Sequence, residues 1–251
     1  MMTVFLLAAL AGMPVFAEEV GPLGPMDEGV PTYVCQRAVG RVEVDGKLNE
    51  ESWRLAKSTS RFVFPWPDQP GDKQKTTVQL VWDDEALYVG YTCRDTDITA
   101  VYQKRDDPTY KDDCVEVFLD PAPDKTVFYY GFEMNCRGVM YDYFMCWPLC
   151  ILNGFDCKGW KLATHLDGTL NDPTDTDRGW TLEVKIPFAN FEGLHKGPPK
   201  DGERWRMQMN RWDGKDKRAL SEWTPSGKAE PDPHRPAGFG VLEFGAKAAG
   251  E

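Results

Sequence analysis

Apolar and polar positions alternate with period two along most of the chain, the pattern of half-buried β-strands. Residues 77–95, TVQLVWDDEALYVGYTCRD, alternate on either side of a polar Asp83-Asp84-Glu85 turn and predict a hairpin. In CVEVFLD (114–120), Val115, Val117 and Leu119 share one face, and Cys114, Glu116 and Phe118 share the other. That second face is mostly apolar, yet it carries a carboxylate at its centre. FYYGFEMN and VMYDYF form a pair around Cys136-Arg137-Gly138, with Glu133 in mid-strand. Strands are also predicted at 160–166, 179–188, 204–212, 219–225 and 239–244. Upstream, RVEVDGKLNEESWRLA (41–56) reads as a short strand, a turn at Asp45-Gly46 and a short helix. Asn49 is the expected cap of that helix, with Trp53, Leu55 and Ala56 to pack. A second short helical signal lies at 188–193. About ten short strands between Gly/Pro turns, with so little helix, make an all-β sandwich. No fixed-period repeat or internal linker interrupts it.

Charge and composition narrow the partners. The formal net charge of -11 argues against nucleic acid and against an anionic membrane surface, and leaves a neutral partner such as a sugar open. Nine tryptophans exceed what the core needs, so some are free for surface work. The first residues, MMTVFLLAALAGMPVFA, read as a signal peptide cleaved after Ala17. Residues 18–37, with Pro22, Pro25 and Pro31, read as a flexible leader, 38–245 as one domain and 246–251 as a tail. A secreted, extracellular or periplasmic protein is expected, with no membrane insertion after cleavage. Export makes disulfides possible among the seven cysteines. The cluster Cys146, Cys150 and Cys157 suits a loop disulfide better than zinc, and its pairing stays open.

Five blocks in order carry a family resemblance. They are Val44 to Trp53 (VDGKLNEESW), Thr76 to Val89, Asp112 to Pro121 (DDCVEVFLDP), Tyr129 to Asp142 (YYGFEMNCRGVMYD), and Trp223-Thr224-Pro225 with His234 to Leu242. Together the chain resembles the family 9 carbohydrate-binding modules, within the broader DOMON-like β-sandwiches. The resemblance implies an immunoglobulin-like or jelly-roll-like antiparallel β-sandwich with one or two short helices. It implies non-catalytic binding of a plant-type glucan or xylan, often beside a glycoside hydrolase. It also implies a sugar end held between two aromatic faces, with structural calcium in that branch. Carried over by position, the first aromatic face is Tyr110, the strand glutamate is Glu116, and the amides are Gln208 and Asn210. Two positions depart from the family. Glu133 stands where an arginine is usual, and Pro233-His234-Arg235 stands where the second tryptophan is usual. His234 could stack there, and Trp66, Trp147 or Trp223 could stand in from a loop.

The residues support this reading without the family. A sugar presents a C–H face and a hydroxyl rim, which an aromatic ring and carboxylates or amides match. Tyr110, Glu116, Glu133, Gln208, Asn210 and His234 are therefore the candidate carbohydrate-binding residues. The competing reading of the glutamates is an internal ion pair with Arg206 or Arg211. Asp83, Asp84, Asp95, Asp97, Asp106, Asp107, Asp112 and Asp113 lie at strand ends or loops and raise a structural calcium, without EF-hand spacing and without a defined ligand set. No motif marks a hydrolase active site. Two alternatives remain: a haem b electron-transfer domain using a methionine and His165, His195 or His234, and a degenerate module serving as an envelope scaffold.

Overall fold

The structure, a computed structural model, describes residues 29–245; the signal-peptide segment, the start of the leader and the tail lie outside the described residues. Its elements run in chain order: β1 (Thr32–Arg37), α1 (Glu51–Leu55), β2 (Thr76–Trp82), β3 (Ala86–Cys93), β4 (Cys114–Asp120), β5 (Tyr129–Asn135), β6 (Met140–Cys146), β7 (Cys150–Leu152), β8 (Lys161–Asp167), β9 (Gly179–Pro187), β10 (Arg204–Asp213), β11 (Ala219–Glu222) and β12 (Gly240–Phe244). The strands form one curled sheet in the order β7-β6-β5-β4-β10-β12-β1-β2-β3-β9-β8, with β11 added on β10. β1 is the hinge of the curl. Thr32 to Cys35 pair with β12, and Gln36 and Arg37 pair with β2, both in parallel. The halves on either side of β1 become the two layers of a sandwich.

Alternation explains the core. Val115, Val117 and Leu119 of β4, Phe132 and Met134 of β5, and Trp205, Met207 and Met209 of β10 face inward. They meet Leu80 and Trp82 of β2, Val89 and Tyr91 of β3, and Leu182 and Ile186 of β9 in one buried cluster. Burying such side chains contributes about 1.5–3 kcal/mol each. The opposite faces of β4, β5, β6 and β10 point away from this core and carry the polar rows described below.

The expected β-sandwich, hairpins and short helices are present, with four differences. Residues 32–37, expected in the leader, form the strand that joins the layers. Their Tyr33 and Cys35 are buried, and Tyr33 Oη accepts from Leu80 N at 2.8 Å. The sheet is therefore mixed rather than purely antiparallel. Residues 41–44 are not a strand; Val42 and Val44 instead pack with Trp53 under α1. Glu50, not Asn49, occupies the helix cap, with no side-chain cap bond. The motif at 44–53 has a physical cause: the Glu183 carboxylate on β9 accepts from Asp45 N (2.9 Å), Gly46 N (2.6 Å) and Trp53 Nε1 (2.6 Å). Gly46 is needed there, because its φ is +86° and a Cβ would lie 2.6 Å from the Thr164 carbonyl carbon. The signal at 188–193 becomes a 3₁₀ turn, Phe188–Phe191. In the β6–β7 hairpin the register sets Cys146 opposite Cys150, while Cys157 is buried apart from them and its N–H bonds Asp142.

Candidate functional site

Strand register assembles the site. Tyr141 on β6 stands opposite Glu133 on β5, Glu133 opposite Glu116 on β4, Glu116 opposite Asn210 on β10, and Asn210 opposite Glu222 on β11. Five strands thus contribute one continuous rung, Tyr141–Glu133–Glu116–Asn210–Glu222, across the outer face of the sheet. Three of its members are glutamates. The neighbouring rung is aromatic: Tyr143 lies opposite Gly131, and Gly131 opposite Phe118. Gly131 is there to admit the Tyr143 ring, since a Cβ at 131 would sit 2.2 Å from Tyr143 Cζ.

Above these rungs opens a pocket of about 340 Å³, lined by Tyr110, Glu116, Glu133, Tyr141, Tyr143, Ile151, Trp212 and the segment Pro231–His234. Tyr110 is the exposed wall, its ring 6.2 Å from that of Tyr141. Its loop is fixed by Arg218, whose guanidinium donates to the carbonyls of Tyr110 (2.6 Å), Lys111 (2.5 Å), Asp112 (3.1 Å) and Gly214 (2.9 Å). His234 stacks on Phe118 with centroids 5.0 Å apart, and its Nδ1 pairs with Tyr129 Oη at 2.7 Å. Burial pushes His234 down to about 4, so its imidazole is neutral at pH 7.

The floor holds unsatisfied polar atoms. Glu116 accepts from Asn210 Nδ2 at 3.1 Å. Asn210 Oδ1 and Glu222 Oε1 are buried without a protein partner, and the Tyr143 hydroxyl faces the Glu133 carboxyl. Burial raises the Glu116 carboxyl to about 8, and it raises Glu133 well above the carboxylate range with Glu116 as the next cause. Glu222 rises to about 7 by burial, although Ser226 N donates to its other oxygen at 2.8 Å. Polar groups of Glu116, Glu133 and Tyr143 thus line an apolar-walled pocket, the arrangement of a candidate ligand site.

The predicted residues divide cleanly. Tyr110, Glu116, Glu133 and His234 line the pocket, and Asn210 lies beneath it against Glu116. Gln208 shares their face but is engaged elsewhere: its amide donates to Thr224 O at 2.6 Å and accepts from Thr224 N and Oγ1. The ion-pair alternative through Arg211 fails, because Arg211 bonds Asp95 and Asp213. Arg206 stands opposite Asp120, further along β10. The proposed loop tryptophans do not line the pocket. Trp66 and Trp223 are buried, and Trp147 lies under Lys228 with Nζ 5.0 Å from its ring. Trp212 on β10 takes that part, two residues after Asn210 and on the same face. Alternation in RWRMQMNRW is the signal that could have found it, as VMYDYF could have found Tyr141 and Tyr143.

The aspartates mostly anchor turns. Asp83 accepts from Glu85 N and Ala86 N, Asp107 from Gln103 N and Lys104 N, and Asp112 from Val101 N and Tyr102 N. Asp95, Asp113 and Asp213 do converge, with carboxylate oxygens within 4.8 Å of one another. Each of their oxygens already accepts a hydrogen bond. Asp95 takes Asp97 N, Trp180 Nε1 and Arg211; Asp113 takes Thr99 and Gly214 N; Asp213 takes Arg211 and Gln74. The buried Arg211 guanidinium is the cation of this cluster, and a calcium among the three would have to displace it. Burial and the neighbouring carboxylates Asp95 and Asp213 raise Asp113 to about 7. A metal ion at this trio would compete with Arg211 for the same oxygens. Beside it lies a larger cleft of about 650 Å³, which has no aromatic residue in its lining and thus no platform for a sugar face. For haem the histidines are badly placed: His165 is exposed, and His195 pairs with Glu203 at 2.6 Å.

Comparison with known proteins gives the family and the fold. The family model described as Carbohydrate family 9 binding domain-like matches residues 44–245. Exoglucanase XynX of Acetivibrio thermocellus is 28% identical over 224 residues, 88% of this chain and 18% of that protein. Endo-1,4-beta-xylanase A of Thermoanaerobacterium saccharolyticum is 28% identical over 218 residues, 84% of this chain and 16% of that protein. The chain spans less than a fifth of the length of these curated relatives. A solved protein of Bacteroides uniformis superposes with a TM-score of 0.72 at 22% identity, over 86% of this chain and 100% of that one. A family 9 carbohydrate-binding module of Caldicellulosiruptor kristjanssonii in complex with cellotriose gives 0.61 at 16% identity, over 87% and 96%. These superpositions establish the shared fold.

Proposed function

The chain belongs to the carbohydrate family 9 binding domain-like family of non-catalytic sugar-binding modules, and we propose that it binds glucan- or xylan-type oligosaccharides in the pocket between Tyr110 and His234. The observation that carries this reading is the rung Tyr141–Glu133–Glu116–Asn210 beneath aromatic walls, with the Glu116 and Glu133 carboxyls lining an open cavity. Sugar hydroxyls donate to Glu133 and Glu116, with Asn210 holding Glu116 from beneath. Tyr143 Oη donates to a ring or hydroxyl oxygen, and Tyr110 and Trp212 cover the C–H faces. The cavity is at the small end of ligand pockets, room for about one or two rings. The glucan or xylan class is supported by the names of the two curated relatives and by the cellotriose and glucose complexes of the C. kristjanssonii module. The same relatives support work alongside a glycoside hydrolase, and the apolar run from Val4 to Leu10, followed by Val15-Phe16-Ala17, supports action outside the cytoplasm.

Calorimetric titration with cello- and xylo-oligosaccharides tests the reading. Tyr110→Ala is expected to cost about tenfold or more in affinity through loss of a stacking face. Glu116→Ala is expected to cost at least as much. Binding that survives both substitutions unchanged would place the sugar elsewhere.

A further inference from the structure

The pocket floor is acidic, and the cation acting on it, Arg218, stands outside the lining, 5.4 Å from the Trp212 ring. Glu116 and Glu133 are a directly opposed cross-strand pair, which sets their Cβ atoms about 4.5–5.5 Å apart, and like charges so placed are destabilising. None of the pocket-lining residues among those described is Lys or Arg. The cations nearby are engaged. Arg218 is bonded to four backbone carbonyls, Lys228 pairs with Asp232 at 3.2 Å, and Lys111 lies out over the Tyr110 ring at 5.8 Å. Glu222 on β11 and Asp232 beside His234 add acidity, and His234 contributes no charge. The groups facing the pair are otherwise the tyrosines 110, 129, 141 and 143.

Neutral hydroxyls can donate to these oxygens but do not offset the repulsion that opposes ionisation of both glutamates. An ammonium group does. It carries donors for both carboxyl groups, Glu116 and Glu133, which line the pocket side by side. Tyr110, Tyr141, Tyr143 and Trp212 supply ring faces that also favour a cation. Building on the sugar-binding reading, we infer that the preferred occupant is an amino sugar, with its protonated amine held between Glu116 and Glu133. Burial and mutual opposition favour proton retention by the pair in the empty pocket, so an arriving ammonium, which favours the carboxylate forms, promotes proton release to solvent.

Calorimetry with matched dimers tests this at neutral pH: cellobiose, the β-1,4-linked glucosamine dimer, and its N-acetylated form, which has the same linkage without the charge. The glucosamine dimer is expected to bind about ten- to a hundredfold more tightly than cellobiose. Repeating the titration in two buffers of different ionisation enthalpy should show proton release with the amine only. Glu133→Gln, close in shape, is expected to bring the two dissociation constants closer together and to reduce the proton release, Glu116 alone remaining to titrate; a thermal melt confirms that it folds. If cellobiose binds as tightly as the glucosamine dimer or more so, the amine preference is wrong and the sugar-binding reading stands. If the N-acetylated dimer matches the free amine, the charge argument is wrong. If no dimer binds, both readings fall.

Discussion

Gly131 tests the pocket architecture at one atom. The residue is in extended β5, so alanine meets no backbone strain, and a strand Gly→Ala change on its own would stabilise by about 0.5–1 kcal/mol. Here the new Cβ would lie 2.2 Å from Tyr143 Cζ, 2.4 Å from Cε2 and 2.6 Å from Oη. Carbon atoms rest at roughly 3.5–4.0 Å, so the ring must retreat by more than about 1 Å. Tyr143 is 1% exposed and wedged between Phe118 and Tyr141, with centroids at 6.3 and 5.3 Å, so it has little room. Overpacking of this kind costs about 1–3 kcal/mol, which leaves Gly131→Ala destabilising by about 0.5–2 kcal/mol. All three clashing atoms belong to the distal half of the ring, which leucine lacks. In a Tyr143→Leu background, Gly131→Ala should therefore become neutral or stabilising. Urea unfolding of the four proteins of this cycle measures the coupling. An equal cost of Gly131→Ala in both backgrounds would refute the claim that glycine is present to admit the tyrosine ring.

Three further outcomes follow from the buried charges. Glu116 is raised to about 8, and Asp113, Asp120 and Glu222 to about 7, each chiefly by burial. The folded chain then binds more protons than the unfolded one between the ordinary carboxyl range, about 4, and about 8. Stability should therefore fall as pH rises through that window; a melting temperature higher at about pH 8.5 than at about pH 5 would contradict it. Arg211→Met should cost about 3–5 kcal/mol in denaturant unfolding, because it strands Asp95 and Asp213 without their cation. Excess chelator should leave the melting temperature of the parent protein unmoved. A loss below about 1 kcal/mol, or a large shift with chelator, would mean that another cation neutralises the trio.

Much of this organisation is legible in the sequence because period two assigns faces. Glu116 and Glu133 stand out as carboxylates on outer faces of apolar strands, and pairing through a short connection puts them opposite one another. What the alternation leaves hidden is partnership over distance. Gln208 has the same parity as Asn210, yet Thr224 captures its amide from beyond β11, so only Asn210 remains under the pocket. Arg211 has the parity of the core and reads as a partner for the glutamates until the fold brings Asp95 to it across the chain. β1 is obscured by the prolines and glycines before it, although Tyr33 and Cys35 alternate correctly. Its two parallel partners, one at each side of the curl, are distant in sequence and leave no local trace. The second aromatic wall is Trp212, within a strand rather than in a loop, across the same cavity from His234.

The most direct test of the binding site is a heteronuclear NMR titration of the chain with a bound oligosaccharide, following backbone amides and the Trp212 indole. The account predicts that the largest shifts fall on Tyr110, Glu116, Glu133, Tyr141, Asn210, Trp212 and His234, and that they vanish in Glu116→Ala. Shifts concentrated instead around Asp97, Asn171 and Lys215, in the larger cleft beside the Asp95–Asp113–Asp213 trio, would contradict it.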